Sequence, residues 1–346
     1  MTLPLSGSIS ISQINAEFNR GNNLNAYRGT IWYNDAAQSG TFSAGIISMT
    51  DFYGKRRKPP HITAHVLVVG GGGGGGGSTG AGGTGGGGGG MLYATFTTLT
   101  QGSYGLTVGA GGAAGGGGTA GGTGGTSVFN SPVGQMIAYG GSGGRTGNSS
   151  AGGYTIITNP TSSQSCGGSS GGGVNADWAG VAGAGGGGAY SAGNTWGGAK
   201  YTVNQGERGG KGYQWNNGLY YSSGGGGGGS NYNNDVWNTG GWSAGVNGGN
   251  GNQTSNAQPT DGSDVGGRGA TSFSSPTNAT AAIANRGGGG GGEGGGNRGA
   301  ASAGGSGAVV IMYPGSDVLA TGGNISQYGV YVVHTFTSSG TFTFIQ

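Results

Sequence analysis

Runs of glycine constrain this chain more than any other feature. Uninterrupted stretches at 70–77, 85–90, 224–229 and 287–292 leave no side chains to pack, and glycine makes up 97 of the 346 residues. Ordering each glycine costs about 1–2 kcal/mol of backbone entropy, with no apolar burial to offset it. Hydrogen bonds must supply the difference. Collagen is excluded, because no sustained Gly-X-Y period is present and prolines number only 8. Disorder is the competing state, but disordered chains carry high net charge and few aromatics. This one has a net charge of +3 with 9 Phe, 6 Trp and 16 Tyr. Composition therefore favours the polyglycine II helix, which is left-handed, has about 3 residues per turn and rises about 3.1 Å per residue. Its donors and acceptors point sideways, so neighbouring helices satisfy one another and approach closely enough for Cα–H···O contacts. A six-glycine run then forms a rod roughly 19 Å long.

The glycine-rich region is expected to be held by strands at both ends. His65-Val66-Leu67-Val68-Val69 is a short apolar run stopped by glycine, while Leu92 to Thr97 and Tyr104 to Val108 alternate apolar and polar side chains. Far along the chain, Val309 to Tyr313, Val330 to Phe336 and Thr341 to Phe344 read the same way, with a turn at Ser338-Ser339-Gly340. The C-terminal strands are expected to return and pair near residue 66. Residues 1–54 differ in composition. Ser10-Ile11-Ser12-Gln13 is a capping box that starts a helix with Ile11, Ile14 and Phe18 on one face, Thr30 to Tyr33 suggests a strand or an apolar patch, and Ser48 to Gly54 suggests a second capped turn. The expected fold class is mainly β with irregular structure: a β-sandwich-like frame carrying a polyglycine II bundle, plus a small N-terminal α+β attachment module. The boundaries read from sequence are a module at 1–54, a basic proline-containing linker at 55–62 and a glycine-rich domain at 63–346. Within that domain the frame is set at 63–139 and 306–346 and the bundle with its loops at 140–305.

Two resemblances rest on particular motifs. Leu3-Pro4-Leu5-Ser6-Gly7, Ser10 to Ile14 and Ile47 to Lys55 resemble the N-terminal module of many phage tail and structural proteins. Val66 to Gly70, Leu106 to Gly112, Gly307 to Ile311 and His334 to Phe342 resemble the glycine-rich domain of phage tail fibres and other virion appendages. In that family the His-Thr-Phe segment commonly precedes the Val-Leu-Val-Val-Gly strand, whereas here it follows, as in a circular permutation. A looser similarity is to the T-even-type tail-tip adhesins, where such rods alternate with receptor-binding loops; no motif aligns residue by residue. The resemblance implies a virion location, with other tail or virion proteins as partners of the module and a host surface glycan or outer-membrane protein as the target. Met1 to Gly7 lacks a basic region followed by an apolar core, so no secretion leader is expected. A homo-oligomer is open, although no apolar heptad implies a coiled-coil trimer.

Candidate receptor-binding residues are the aromatics between glycine runs: Trp178, Tyr190, Trp196, Tyr213, Trp215, Tyr220, Tyr221, Tyr232, Trp237 and Trp242. Their Asn- and Ser-rich surroundings match binding loops, where rigid rings give area and amides give adaptable hydrogen bonds. The competing reading is that the rings cap the bundle against water. Ile11, Ile14, Phe18, Trp32, Phe52 and Tyr53 are the candidate virion-attachment residues. Neither catalysis nor a cofactor is expected. Charged residues are 7% of the chain, the single Cys166 excludes a disulfide or Cys-based cluster, and His61, His65 and His334 are too few for a metal site. Asp261-Gly262-Ser263-Asp264 reads as a turn rather than a calcium loop. Glu207, Asp235 and Glu293 could form a depolymerase pair only if the fold assembled them. Lys55-Arg56-Arg57-Lys58, followed by Pro59-Pro60, reads as a solvated stiff linker in preference to a phosphate-binding cluster, and no nucleic-acid partner is expected. The leading function is a receptor-binding tail-fibre or tail-tip adhesin. The alternatives are a purely structural virion component and, less favoured given the large aromatics, an ice-binding protein.

Overall fold

The computed structural model describes residues 3–36, 38–78, 82–145, 189, 206, 209–229, 265–270, 278–296 and 299–344, together with the backbone of strands at 155–157 and 163–166. The protein is mainly β. In chain order, helix α1 (Ile11–Phe18) and strands β1 (Ile31–Tyr33) and β2 (Ser39–Thr41) form the N-terminal module. Then come β3 (His61–Val69), β4 (Met91–Thr100), β5 (Gly102–Thr107), β6 (Ser127–Ser131), β7 (Gly134–Ala138), β8 (Thr155–Ile157) and β9 (Ser163–Cys166). A short hairpin, β10 (Tyr213–Gln214) and β11 (Tyr220–Tyr221), precedes β12 (Ala308–Pro314), β13 (Ala320–Thr321), β14 (Asn324–Tyr328), β15 (Tyr331–Phe336) and β16 (Gly340–Phe344).

Two six-stranded sheets of antiparallel strands, ordered β14-β15-β12-β3-β4-β9 and β13-β16-β5-β6-β7-β8, enclose the main core. Val66, Val68, Val309 and Ile311 from the first sheet pack with Leu106, Phe129, Phe342 and Phe344 from the second. Leu67, Val69, Val310 and Met312 point the other way and are also fully covered. Burial on both faces explains why β3 and β12 read as continuous apolar runs rather than as alternating strands. His334, buried on the inner face, places Nε2 3.1 Å from the Tyr313 hydroxyl and Nδ1 2.8 Å from the Gly322 carbonyl. Burial holds its pKa below the usual histidine range.

Residues 70–77 form a polyglycine II rod at the centre of a hexagonal bundle. Gly70, Gly73 and Gly76 donate to the carbonyls of Gly90, Gly87 and Thr84; Gly71, Gly74 and Gly77 to those of Gly125, Gly122 and Thr119; Gly72 and Gly75 to those of Gly305 and Ser302, all at 2.8–2.9 Å. That threefold rotation is the period of the helix itself. The partner numbers fall as the rod advances, so these three neighbours are antiparallel. Three further rods run parallel and donate into it, through Gly112 and Gly115, Gly141 and Gly144, and Gly290 and Glu293. Every residue from 70 to 78 is buried, yet no N–H of the run 70–77 lacks an acceptor. This satisfaction of buried backbone replaces the side-chain packing of an ordinary core.

Several sequence expectations need correction. The bundle does not begin at residue 140: the rods at 70–77, 83–90, 109–116 and 119–126 are inserted between consecutive strands of the frame. Of the C-terminal strands, β12 does return to pair with β3, placing Ile311 opposite Val66, but β15 pairs with β12 and β16 with β5 in the opposite sheet, so neither touches β3. Residues 55–58 are not a solvated linker. Arg56 exchanges backbone hydrogen bonds with Tyr33 at 2.9 and 2.8 Å, forms an ion pair with Asp35 and is buried, and β3 begins at His61.

Candidate recognition surfaces

Chain direction gives the molecule two ends. Strands β3, β5 and β7 each continue into an outgoing rod, and β4, β6 and β12 each receive a returning one. These six rods therefore leave the same end of the sandwich, and β3 starts at the opposite end, beside the module. At the far tips, Ser78, Gly117 and Glu293 converge. The Glu293 carboxylate is buried and accepts from the backbone N–H groups of Ser78 at 2.7 Å and Gly117 at 3.2 Å, tying the ends of three rods together. Charge-assisted bonds of this kind are about twice as strong as neutral ones. In the sequence Glu293 stands out only as one of three carboxylates that a depolymerase pair could draw on. The glutamate that ends the run at 287–292 marked a rod terminus instead. Asp235 and Glu207 lie outside the described residues.

The aromatic candidates divide. Trp215 is 4% exposed and Tyr221 is 2% exposed. Both lie on the outer face of the first sheet against Leu67, Val69, Met91, Val310 and Met312. These two rings are packing residues, and the expectation that they act as exposed anchors is corrected: an apolar sheet face needed covering, and this hairpin covers it. Tyr213 is half-buried and stacks on Tyr93 with centroids 6.0 Å apart. Tyr220 is half-buried, with the Lys211 ammonium 5.7 Å from its ring centre. Trp178, Tyr190, Trp196, Tyr232, Trp237 and Trp242 lie outside the described residues. The chain runs out along residues 222–229 and reaches the tip at Gly229, where Gly295 donates to its carbonyl. In sequence, Tyr232, Trp237 and Trp242 follow directly.

The module is built around Phe52, whose ring lies 4.3 Å from Phe42, 5.2 Å from Tyr27 and 5.9 Å from Phe18. Ser10 caps α1 through a capping box, and Ser48 and Asp51 cap the 3-10 turn at Met49–Phe52. Ile14 and Phe52 are fully buried in this core, so their expected role as virion-attachment contacts is corrected as well, and Phe18, 2% exposed, serves mainly as packing. Ile11 packs partly on the core. Trp32 is half-buried between Gly40 and the Lys55 ammonium, which sits 3.1 Å from its ring centre. The half-buried Tyr53 donates its hydroxyl to the Gly7 carbonyl. The most exposed apolar side chains the module presents are Leu5, 77% exposed, and Ile46, 91% exposed. Both lie in loops, where no periodicity singles them out.

The fold defines a two-sheet protein whose strands are extended by polyglycine II rods. The chain belongs to the family described as glycine-rich domain, whose model matches residues 58–314. No curated protein matches it. Among the described residues no group of His, Cys, Asp and Glu is arranged to hold a metal ion.

Proposed function

We propose that this chain is a virion adhesin, fixed by its N-terminal module and reading the host surface with loops at the rod tips. The observation that carries this reading is the polarity of the molecule, with a small module and a rigid bundle at opposite ends of one sandwich. The resemblance of residues 3–55 to phage tail modules supports the location, and the aromatic segment after Gly229 supports contact at the tip. Rings such as Trp237 and Trp242 add contact area at low entropic cost when their loop bases are fixed. The target is a surface glycan or an outer-membrane protein. Burial of Trp215 and Tyr221 favours the competing reading, a purely structural virion component, because it withdraws two rings from the binding set.

The test has two arms. Removing residues 1–58 is expected to leave a soluble body that is missing from virions, as scored by immunoblot of purified particles. Replacing Trp237 and Trp242 together by alanine is expected to weaken cell attachment by at least about tenfold, the equivalent of about 1.4 kcal/mol, with the melting temperature unchanged. Unchanged attachment would move the assignment to the structural class, and normal incorporation of the truncated chain would remove the module's role.

A further inference from the structure

A cleft of about 520 Å3 opens where the module meets the base of the sandwich. That volume lies within the roughly 300–1,000 Å3 range of ligand clefts. Three cations, Arg20, Arg57 and Lys58, line it against one carboxylate, Asp317. In a chain with only 13 Lys and Arg residues this is a concentrated positive site. Burial, and then the Arg57 charge beside it, hold Lys58 below the ordinary lysine range, and an incoming carboxylate would act against both by favouring the charged ammonium.

The cleft is more than a basic patch. Ile31, 49% exposed, and Val318, 53% exposed, stand on its walls as large apolar groups left facing water. The backbone of β1 presents an open edge there as well. Thr30 and Asn34 bond toward β2, through Phe42 and Gln38 at 3.0 Å, whereas Tyr33 faces the other way and is satisfied by Arg56. Ile31, two residues before Tyr33, faces the same way as Tyr33. Among the described residues no backbone group pairs with it on that side.

We propose that this cleft receives an extended acidic segment, interspersed with apolar residues, from the virion protein to which the module attaches. The segment adds as a short strand beside Ile31, covers Ile31 and Val318 with its apolar side chains, and sets its carboxylates against Arg20, Arg57 and Lys58. Strand addition of this kind draws affinity from the main chain and specificity from alternate side chains. A free phosphate would engage the cations but leave the apolar walls and the strand edge unused. The proposal rests on the reading of the module as the attachment end.

The experiment measures fluorescence anisotropy of a labelled peptide of alternating Glu and Val on the full-length protein at low ionic strength. The peptide is expected to bind, and a peptide of alternating Lys and Val is not. Arg20→Glu combined with Arg57→Glu is expected to weaken binding by at least about tenfold without lowering the melting temperature, while Lys211→Glu, which changes a cation beside Tyr220, leaves it unchanged. Three results would each overturn the proposal: no binding of the acidic peptide, equal loss with Lys211→Glu, or complete displacement by inorganic phosphate, which would make this a small-anion site. Virion incorporation after removal of residues 1–58 is scored separately, so loss of peptide binding leaves the attachment reading standing.

Discussion

Gly74→Ala is expected to abolish folding of the bundle, whereas Gly116→Ala is expected to leave it intact or slightly more stable. A Cβ built on Gly74 collides with the Ala113 carbonyl, a backbone atom that no rotamer change can move. Nor can the rod shift sideways, since the other five rods around it are equally close. Overpacking a close-packed core costs about 1–3 kcal/mol where neighbours can give. Here they cannot, so the loss is expected to exceed about 4 kcal/mol, in the range that marks a disrupted core. Gly116 lies in a neighbouring rod, where an added Cβ meets nothing within 4 Å. Alanine there removes freedom from the unfolded chain and contributes up to about 1 kcal/mol. The opposite signs separate packing from chain entropy. Urea unfolding, with amide exchange of residues 70–77 as the local probe, reads both. Equal midpoints for the two variants would mean that the rods are not in contact.

The second large effect is expected at Trp215. Truncation to alanine removes the ring that closes the outer face of the first sheet, and changes of this type cost about 3–5 kcal/mol in a buried site. Cell attachment should fall only as far as the folded fraction falls. Trp215→Phe provides the control. The indole Nε1 is buried without a partner, so phenylalanine loses contact area but also removes an unsatisfied donor. Its cost is expected to be below about 1.5 kcal/mol. Melting temperature and attachment measured on the same preparations distinguish the outcomes. A Trp215→Ala protein that melts normally but fails to attach would return this ring to the binding surface.

The strands and the rod conformation were legible in the sequence because both rest on local chemistry. Val66 to Val69 and Val309 to Tyr313 end at glycine or proline, and the runs at 70–77 and 287–292 have no other way to satisfy their backbone. The arrangement of the rods was harder to read, although one signal was present. Ala120-Gly-Gly-Thr123-Gly-Gly-Thr126 repeats every three residues, and Ala120, Thr123 and Thr126 are all exposed. In an outer rod one position in three faces water and accepts a side chain, while a rod surrounded on all sides must be glycine throughout. Unbroken runs therefore mark the centre and triplets mark the rim. Strand β14 carries no sequence signal because Asn324-Ile325-Ser326-Gln327-Tyr328 lies on a sheet edge and is exposed along its whole length, so burial imposes no pattern on it. Trp215 is ambiguous in the sequence because a ring flanked by amides has the same composition in a binding loop and in a cover over an apolar sheet. Only the sheet face beneath it, assembled from strands more than 200 residues apart, decides between them.

The lateral bonding of the rods also determines how the molecule carries force. Every N–H to carbonyl bond in the bundle runs across the rod axis, and six of the rods continue covalently into β3, β4, β5, β6, β7 and β12, whose ladder bonds also run crosswise. A pull on the tips directed away from the module therefore loads these bonds in shear. No rod can be peeled out one bond at a time along that direction, because its contacts with all its neighbours must slip together. A tether anchored at the module and held at the tips would meet its greatest mechanical resistance along its own long axis, and would yield most readily to a sideways tear starting at the solvent-facing triplet rods.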